Sequence, residues 1–172
     1  MSDFVESLGL AFFAHRLRRL SEQLVEGCGD WLHRTGVVVP PKAGSTMLLL
    51  REAGPLSVTQ IAQRLKLSHP LIIGLTRELE AMGLVRIDQD PTDRRRRPVT
   101  LTAQGAAQAE RIANVNRFIA QAYQDLFADA GVDGLAVVAR LERAIGARTM
   151  SSRLERLAAG NRQAASGRTE HA

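Results

Sequence analysis

Two helix starts stand close together in the middle of this chain, and an alternating strand pattern follows them at once. In "SVTQ", Ser57 followed by Gln60 forms the pattern of a capping box, which predicts a helix over about 58–66 with Ile61, Ala62 and Leu65 inward. Ser68 is a second N-cap, and Pro70 is tolerated just behind it because the first turn of a helix has no backbone bond for proline to break. That second helix is predicted to run to Met82, with Ile72, Leu75, Leu79 and Met82 on one face and Gly83 as its left-handed stop. Two short helices joined by a tight turn make a helix-turn-helix, a pattern shared with any plain helical hairpin.

The next residues separate those two readings. Leu84, Val85 and Ile87 read as a strand, "QDPTDRR" supplies turn residues, and Val99 and Leu101 alternate with Thr100 and Thr102 in a returning strand. A β-hairpin directly behind the second helix converts the helix-turn-helix into a winged helix. Four consecutive arginines, Arg94, Arg95, Arg96 and Arg97, fall near the hairpin's tip. A disordered basic arm would not be framed by strand residues that alternate towards a core.

Helices flank this centre on both sides. Leu10, Phe13, Leu17, Leu20, Leu24, Cys28 and Trp31 recur at helical spacing, so the N-terminal segment is expected to be one long amphipathic helix. The stripe is longer than a small core needs, which points to a helical partner such as a second copy of the chain. Gly36, Pro40 and Pro41 end it, and a helix from Lys42 to Ala53 carries the apolar run Met47 to Leu50. From Ala103, the spacing of Ile112, Val115, Ile119, Ala122 and Leu126 is that of a helix seam, and Leu135, Val138, Leu141 and Ile145 mark a last helix. Residues 161–172 are small and polar and are expected to be a disordered tail.

Composition narrows the chemistry. The net charge of +5 favours an anionic partner, and the basic residues are all arginine except Lys42 and Lys66. The single cysteine excludes an internal disulfide, and the four histidines lack metal-ligand spacing, so neither metal nor cofactor is expected. No nucleophile and base pair and no glycine-rich phosphate loop suggests an enzyme. The N-terminal stretch is neither signal peptide nor membrane span, because arginines interrupt its apolar residues, and a cytoplasmic protein is expected.

The stretch 54–105 resembles the winged-helix domain of the multiple antibiotic resistance regulator (MarR) family of bacterial transcription factors. Its most specific part is the wing pattern Asp93, Arg95, Val99, Leu101, Thr102 and Gly105. The resemblance implies a mainly α fold with a small β-hairpin wing. A winged helix-turn-helix at 54–102 would be flanked by a dimerisation region formed by helices in 1–53 and 103–160. It also implies a homodimer on a pseudo-palindromic site in double-stranded DNA, acting as a repressor relieved by a small ligand or signal. The second helix would enter the major groove and the wing the neighbouring minor groove, where arginine suits the narrow, electronegative floor.

Site residues follow from that geometry. Ser68, His69, Pro70, Ile73, Thr76 and Arg77 are expected on the DNA-facing side of the second helix, with Arg77 able to hold a guanine by two hydrogen bonds unless it pairs with Glu78 or Glu80. Arg95 is the first choice for the minor groove and Arg97 the second, while Arg94 and Arg96 face phosphate or water. Asp93 is expected to shape the wing by pairing with Arg86 or Arg95. Ser57 and Thr59 are weaker phosphate candidates and Arg64 is solvated. Effectors of this family sit between the dimer helices and the DNA-binding domain, which makes His15, Arg16 and His33 pocket candidates. Two other readings stand beside this one: a winged helix used for protein or RNA contact, and a redox-sensing regulator acting through Cys28.

Overall fold

The computed structural model describes residues 3–88 and 98–169, with side chains through residue 160. It separates into two compact units, residues 1–120 and 121–172.

The first unit opens with α1 (Phe4–Ser7), capped by the Asp3 carboxylate, which accepts from the Val5 N–H at 2.9 Å. A hydrogen bond from the Arg19 guanidinium holds that carboxyl below the ordinary aspartate range. A 3₁₀ turn (Gly9–Phe12) and α2 (Phe13–Arg34) follow. The one long helix expected at the N-terminus is therefore broken. Gly9 adopts φ +64°, a left-handed conformation that an α-helix cannot contain, so Leu10 lies in the turn. A second 3₁₀ turn, Pro41–Ala43, leads into α3 (Gly44–Ala53). Met47 and Leu50 of the expected apolar run are buried, and Leu48 and Leu49 pack partly against the core.

The central elements are β1 (Leu56–Ser57), α4 (Val58–Leu65), α5 (His69–Ala81), β2 (Val85–Ile87) and β3 (Pro98–Leu101). The capping box forms in full: the Gln60 N–H donates to Ser57 Oγ while the Gln60 side chain accepts from the Ser57 N–H at 2.9 Å. Replacing Ser57 with alanine orphans a donor at the start of α4 and is expected to cost about 1 kcal/mol in urea denaturation. An unchanged midpoint would mean that water replaces the cap without loss. Helix α4 stops where Lys66 turns left-handed, at φ 54°, and α5 stops at Gly83, φ +69°. Ser68 departs from expectation: its backbone is extended as in a cap, but its hydroxyl makes no capping bond.

The wing belongs to a three-stranded antiparallel sheet of order β1-β3-β2. Val99 on the central strand pairs with Leu56 on one side and Ile87 on the other, while Val85 faces Leu101. Leu56, Val85 and Val99 are buried and join Ile61, Ile72, Leu75 and Leu79 in one core. Each such aliphatic side chain contributes about 1.5–3 kcal/mol by leaving water. That core also takes Leu32, Val37 and Val39 from before residue 54, and Ala109 and Ile112 from α6 (Ala103–Asp129). Met82, expected inward, is instead exposed beyond the last buried turn of α5.

The second unit holds the end of α6, α7 (Gly134–Ala147) and α8 (Met150–Thr169). Asp133 caps α7 through the Ala136 N–H at 2.9 Å, and Arg153 satisfies the α7 end by donating to the Ala144 carbonyl at 2.7 Å. Tyr123 stacks on Phe127, with ring centroids 6.1 Å apart. Helix α8 carries backbone helix through 161–169, part of the segment expected to be a disordered tail. Among the described residues no helix is long and apolar enough to cross a membrane.

Candidate nucleic-acid interface

Helix α5 presents two faces of opposite character. Ile72, Leu75 and Leu79 are buried in the core, which leaves His69, Pro70, Gly74 and Arg77 exposed, with Ile73 half-buried between the faces. The start of α4 lies against the start of α5: Thr59 Oγ1 stands 3.5 Å from His69 Nε2. Ser57, Val58, Thr59, His69, Ile73, Thr76, Arg77 and Ile87 together line a shallow concavity of about 340 Å³. Its lining sets hydroxyl, imidazole and guanidinium groups, donors that phosphates and base edges accept, among the apolar Val58, Ile73 and Ile87.

Arg77 makes no ion pair among the described residues. The salt bridges open to it in the sequence are taken up elsewhere, since Glu78 pairs with Lys42 at 2.9 Å and Glu80 accepts from the Ile87 N–H at 3.1 Å. Its guanidinium is left exposed on the outer face.

Thr76 lines the same concavity but is not an exposed donor on it. It is 1% exposed, and its hydroxyl donates back to the Ile72 carbonyl at 2.8 Å. Positions 72, 76 and 79 share one side of a helix, so Thr76 turns inward with the core stripe and its donor is spent on the helix itself. Arg86 pairs with Asp88, Nε to Oδ2 2.8 Å. Asp93, Arg94, Arg95, Arg96 and Arg97 lie outside the described residues.

The wing's base is held by residues whose spatial role their spacing does not reveal. Thr102 Oγ1 donates to the Gly83 carbonyl at 2.7 Å and accepts from the Gly105 N–H at 3.0 Å, so one hydroxyl joins the end of α5 to the start of α6. Gln108 reaches back to the 36–38 loop, accepting from Val38 N–H and donating to the Gly36 carbonyl. The motif residues Thr102 and Gly105 thus carry a structural role beneath their sequence signature.

The three effector candidates are not gathered. His15 and His33 are exposed at opposite ends of α2, and Arg16 lies 3.6 Å from Glu6. A separate cavity of about 260 Å³ is lined by Leu32, Val37, Pro41, Leu48, Ile112 and Ile119, with Ser45 and Asn116 as polar groups. Cys28 is half-buried and packs against the core.

A helix-turn-helix whose second helix is bare on one face, backed by a three-stranded wing sheet, defines a winged-helix protein. The MarR family model matches residues 41–96 of the chain. No curated protein matches the sequence. Among solved structures, a probable transcriptional regulator from Pseudomonas aeruginosa is similar at TM-score 0.58 and 21% identity, covering 77% of this chain and 96% of that one. The S. aureus MepR-DNA complex is similar at 0.59 and 18%, covering 78% and 97%. Bordetella bronchiseptica BpsR, whose DNA binding is regulated by 6-hydroxynicotinic acid, is similar at 0.56 and 24%, covering 77% and 91%.

Proposed function

We propose that this protein is a homodimeric, sequence-specific regulator of transcription in the cytoplasm, a repressor that binds a pseudo-palindromic duplex and is relieved by a small ligand. The observation that carries this reading is the outer face of α5, where Arg77 stands exposed beside His69 above a concavity lined with donors. Ser68, His69, Pro70, Ile73 and Arg77 meet the major groove. The wing arginines, outside the described residues, meet the minor groove and adjoining phosphates, with Arg95 foremost.

Residues 54–102 act as the DNA-binding domain, and the helices of 1–53 and 103–160 supply the dimer. Support for the dimer is the apolar surface left bare on both units. Leu10 is 87% exposed and Leu17 and Leu20 on α2 are exposed too, while Leu135 is 75% exposed with Val138 and Ile145 on the same helix. A two-fold dimer reads half-sites about one helical turn apart. Fold similarity to the MepR-DNA complex supports the duplex as partner, and similarity to BpsR supports control by a small molecule. In this reading the ligand occupies the 260 Å³ cavity, against the Pro41 turn that carries Lys42 and its ion pair to Glu78 on α5.

The test is Arg95→Ala, assayed on a duplex selected from a random pool. Affinity is expected to fall about tenfold, and the slope of log affinity against log salt to fall by about one. A folded dimer with unchanged affinity and slope would show that the wing makes no groove contact.

A further inference from the structure

Glu80 poses a problem for any protein that uses this face of α5 on DNA. It is exposed and follows Ile73 and Arg77 at helical spacing, so it sets a negative charge on the side that would approach phosphate. Charge alone would favour its absence. Its contact supplies a reason for its presence: Glu80 Oε1 accepts from the Ile87 N–H at 3.1 Å. In the β2-β3 ladder Ile87 stands opposite Val99, while β2 is an outer strand of the sheet, with β3 its only strand neighbour among the described residues. The Ile87 N–H on the outer edge thus finds its acceptor on α5.

The contact is also well placed mechanically. Ile87 is the last residue of β2, and the N–H of the next residue, Asp88, donates to the Pro98 carbonyl at 3.1 Å. The base of the wing is therefore fixed at its inner end by Thr102 on the Gly83 carbonyl and at its outer end by Glu80 on Ile87. Ile87 itself lines the concavity with Ile73 and Arg77. The described end of β2 thus shares one concavity with the α5 residues proposed for the major groove.

We infer that Glu80 is a positioning residue for DNA recognition: through the Ile87 N–H it fixes the outgoing strand of the wing on α5, and so sets the spacing of wing and helix contacts. The inference rests on the DNA-binding reading above. It gains specific affinity by geometry while lowering non-specific affinity by charge, two effects of opposite sign that experiment can separate.

The experiment uses the full chain with two conservative variants. Glu80→Gln keeps an acceptor of the same reach and removes the charge. Glu80→Asp keeps the charge and is one methylene too short to hold Ile87. Each is titrated with the selected duplex and with a random duplex, and the Ile87 amide exchange rate is followed by NMR. Positioning predicts that Glu80→Asp loses about three- to tenfold in specific affinity, with random-duplex affinity unchanged and faster exchange at Ile87. It predicts that Glu80→Gln holds specific affinity at or above wild type and keeps Ile87 protected, with random-duplex binding raised about twofold. Specific binding by Glu80→Asp equal to wild type would overturn the inference, as would loss in Glu80→Gln with Ile87 still protected. Failure of the wild type itself to prefer the selected duplex would instead remove the DNA-binding reading and leave the Ile87 contact a matter of stability alone.

Discussion

Gly105→Ala is expected to destabilise the fold by about 3 kcal/mol or more, at the severe end of single substitutions. A Cβ at position 105 would lie 1.8 Å from the Leu84 carbonyl oxygen and 2.8 Å from its carbon. Backbone, unlike the end of a long side chain, cannot swing away. Leu84 is held by its own N–H on the Leu79 carbonyl at 2.9 Å, and its oxygen accepts the Thr102 N–H at 3.1 Å. Relief would therefore pull α6 off the end of α5 and open the base of the wing. Gly74→Ala supplies the contrast: position 74 is helical with open space around it, so alanine is expected to stabilise by about 0.5–1 kcal/mol. Urea denaturation of both variants reads the difference. A Gly105→Ala midpoint close to wild type would show that the α5-β2 turn yields cheaply and that this close approach does not define the domain.

Gly105 also shows what kind of information the sequence carried. Within the wing pattern it was legible as a motif position, while its physical cause, the approach of α6 to a backbone carbonyl, is a contact across the fold. Features decided by near neighbours in the chain were readable directly: the Ser57 and Gln60 box, the stop at Gly83, and the Ile72, Leu75, Leu79 stripe. Strand β1 was not. It has two residues, too few to show a period, and exists because Leu56 meets Val99. The Gly9 break was hidden because apolar spacing runs straight through the 3₁₀ turn.

The interface divides in the same way. His69, Pro70 and Arg77 turn outward as their spacing from the core stripe requires, and Thr76 turns inward for the same geometric reason, at four residues from Ile72. Its hydroxyl is a donor of the kind that base edges accept, but it is spent on the Ile72 carbonyl. Glu80 and Lys42 went unassigned because their partners, Ile87 and Glu78, are supplied by folding rather than by helical spacing.

That folding also decides what Arg77 can do. An exposed arginine with a carboxylate three or four residues away is ordinarily a helix-surface pair of a few tenths of a kcal/mol. Here Glu78 is turned to Lys42 and Glu80 to the Ile87 N–H, so among the described residues no carboxylate takes up the guanidinium's donors. In the major groove its planar fork matches the O6 and N7 acceptors of guanine, a contact that discriminates by about 1–3 kcal/mol. Arg77→Ala is accordingly expected to lose about ten- to a hundredfold in affinity for the selected duplex, with the loss confined to duplexes that carry the matching guanine. Arg77→Lys separates base from phosphate. Lysine keeps the charge but lacks the fork, so it should retain random-duplex affinity while losing most of the specific increment. Equal behaviour of Arg77→Lys and wild type would make the contact a phosphate clamp, with affinity falling uniformly across sequences in Arg77→Ala and the salt slope dropping by about one. A folded Arg77→Ala that binds the selected duplex as wild type does would move the readout off α5 altogether and onto the wing.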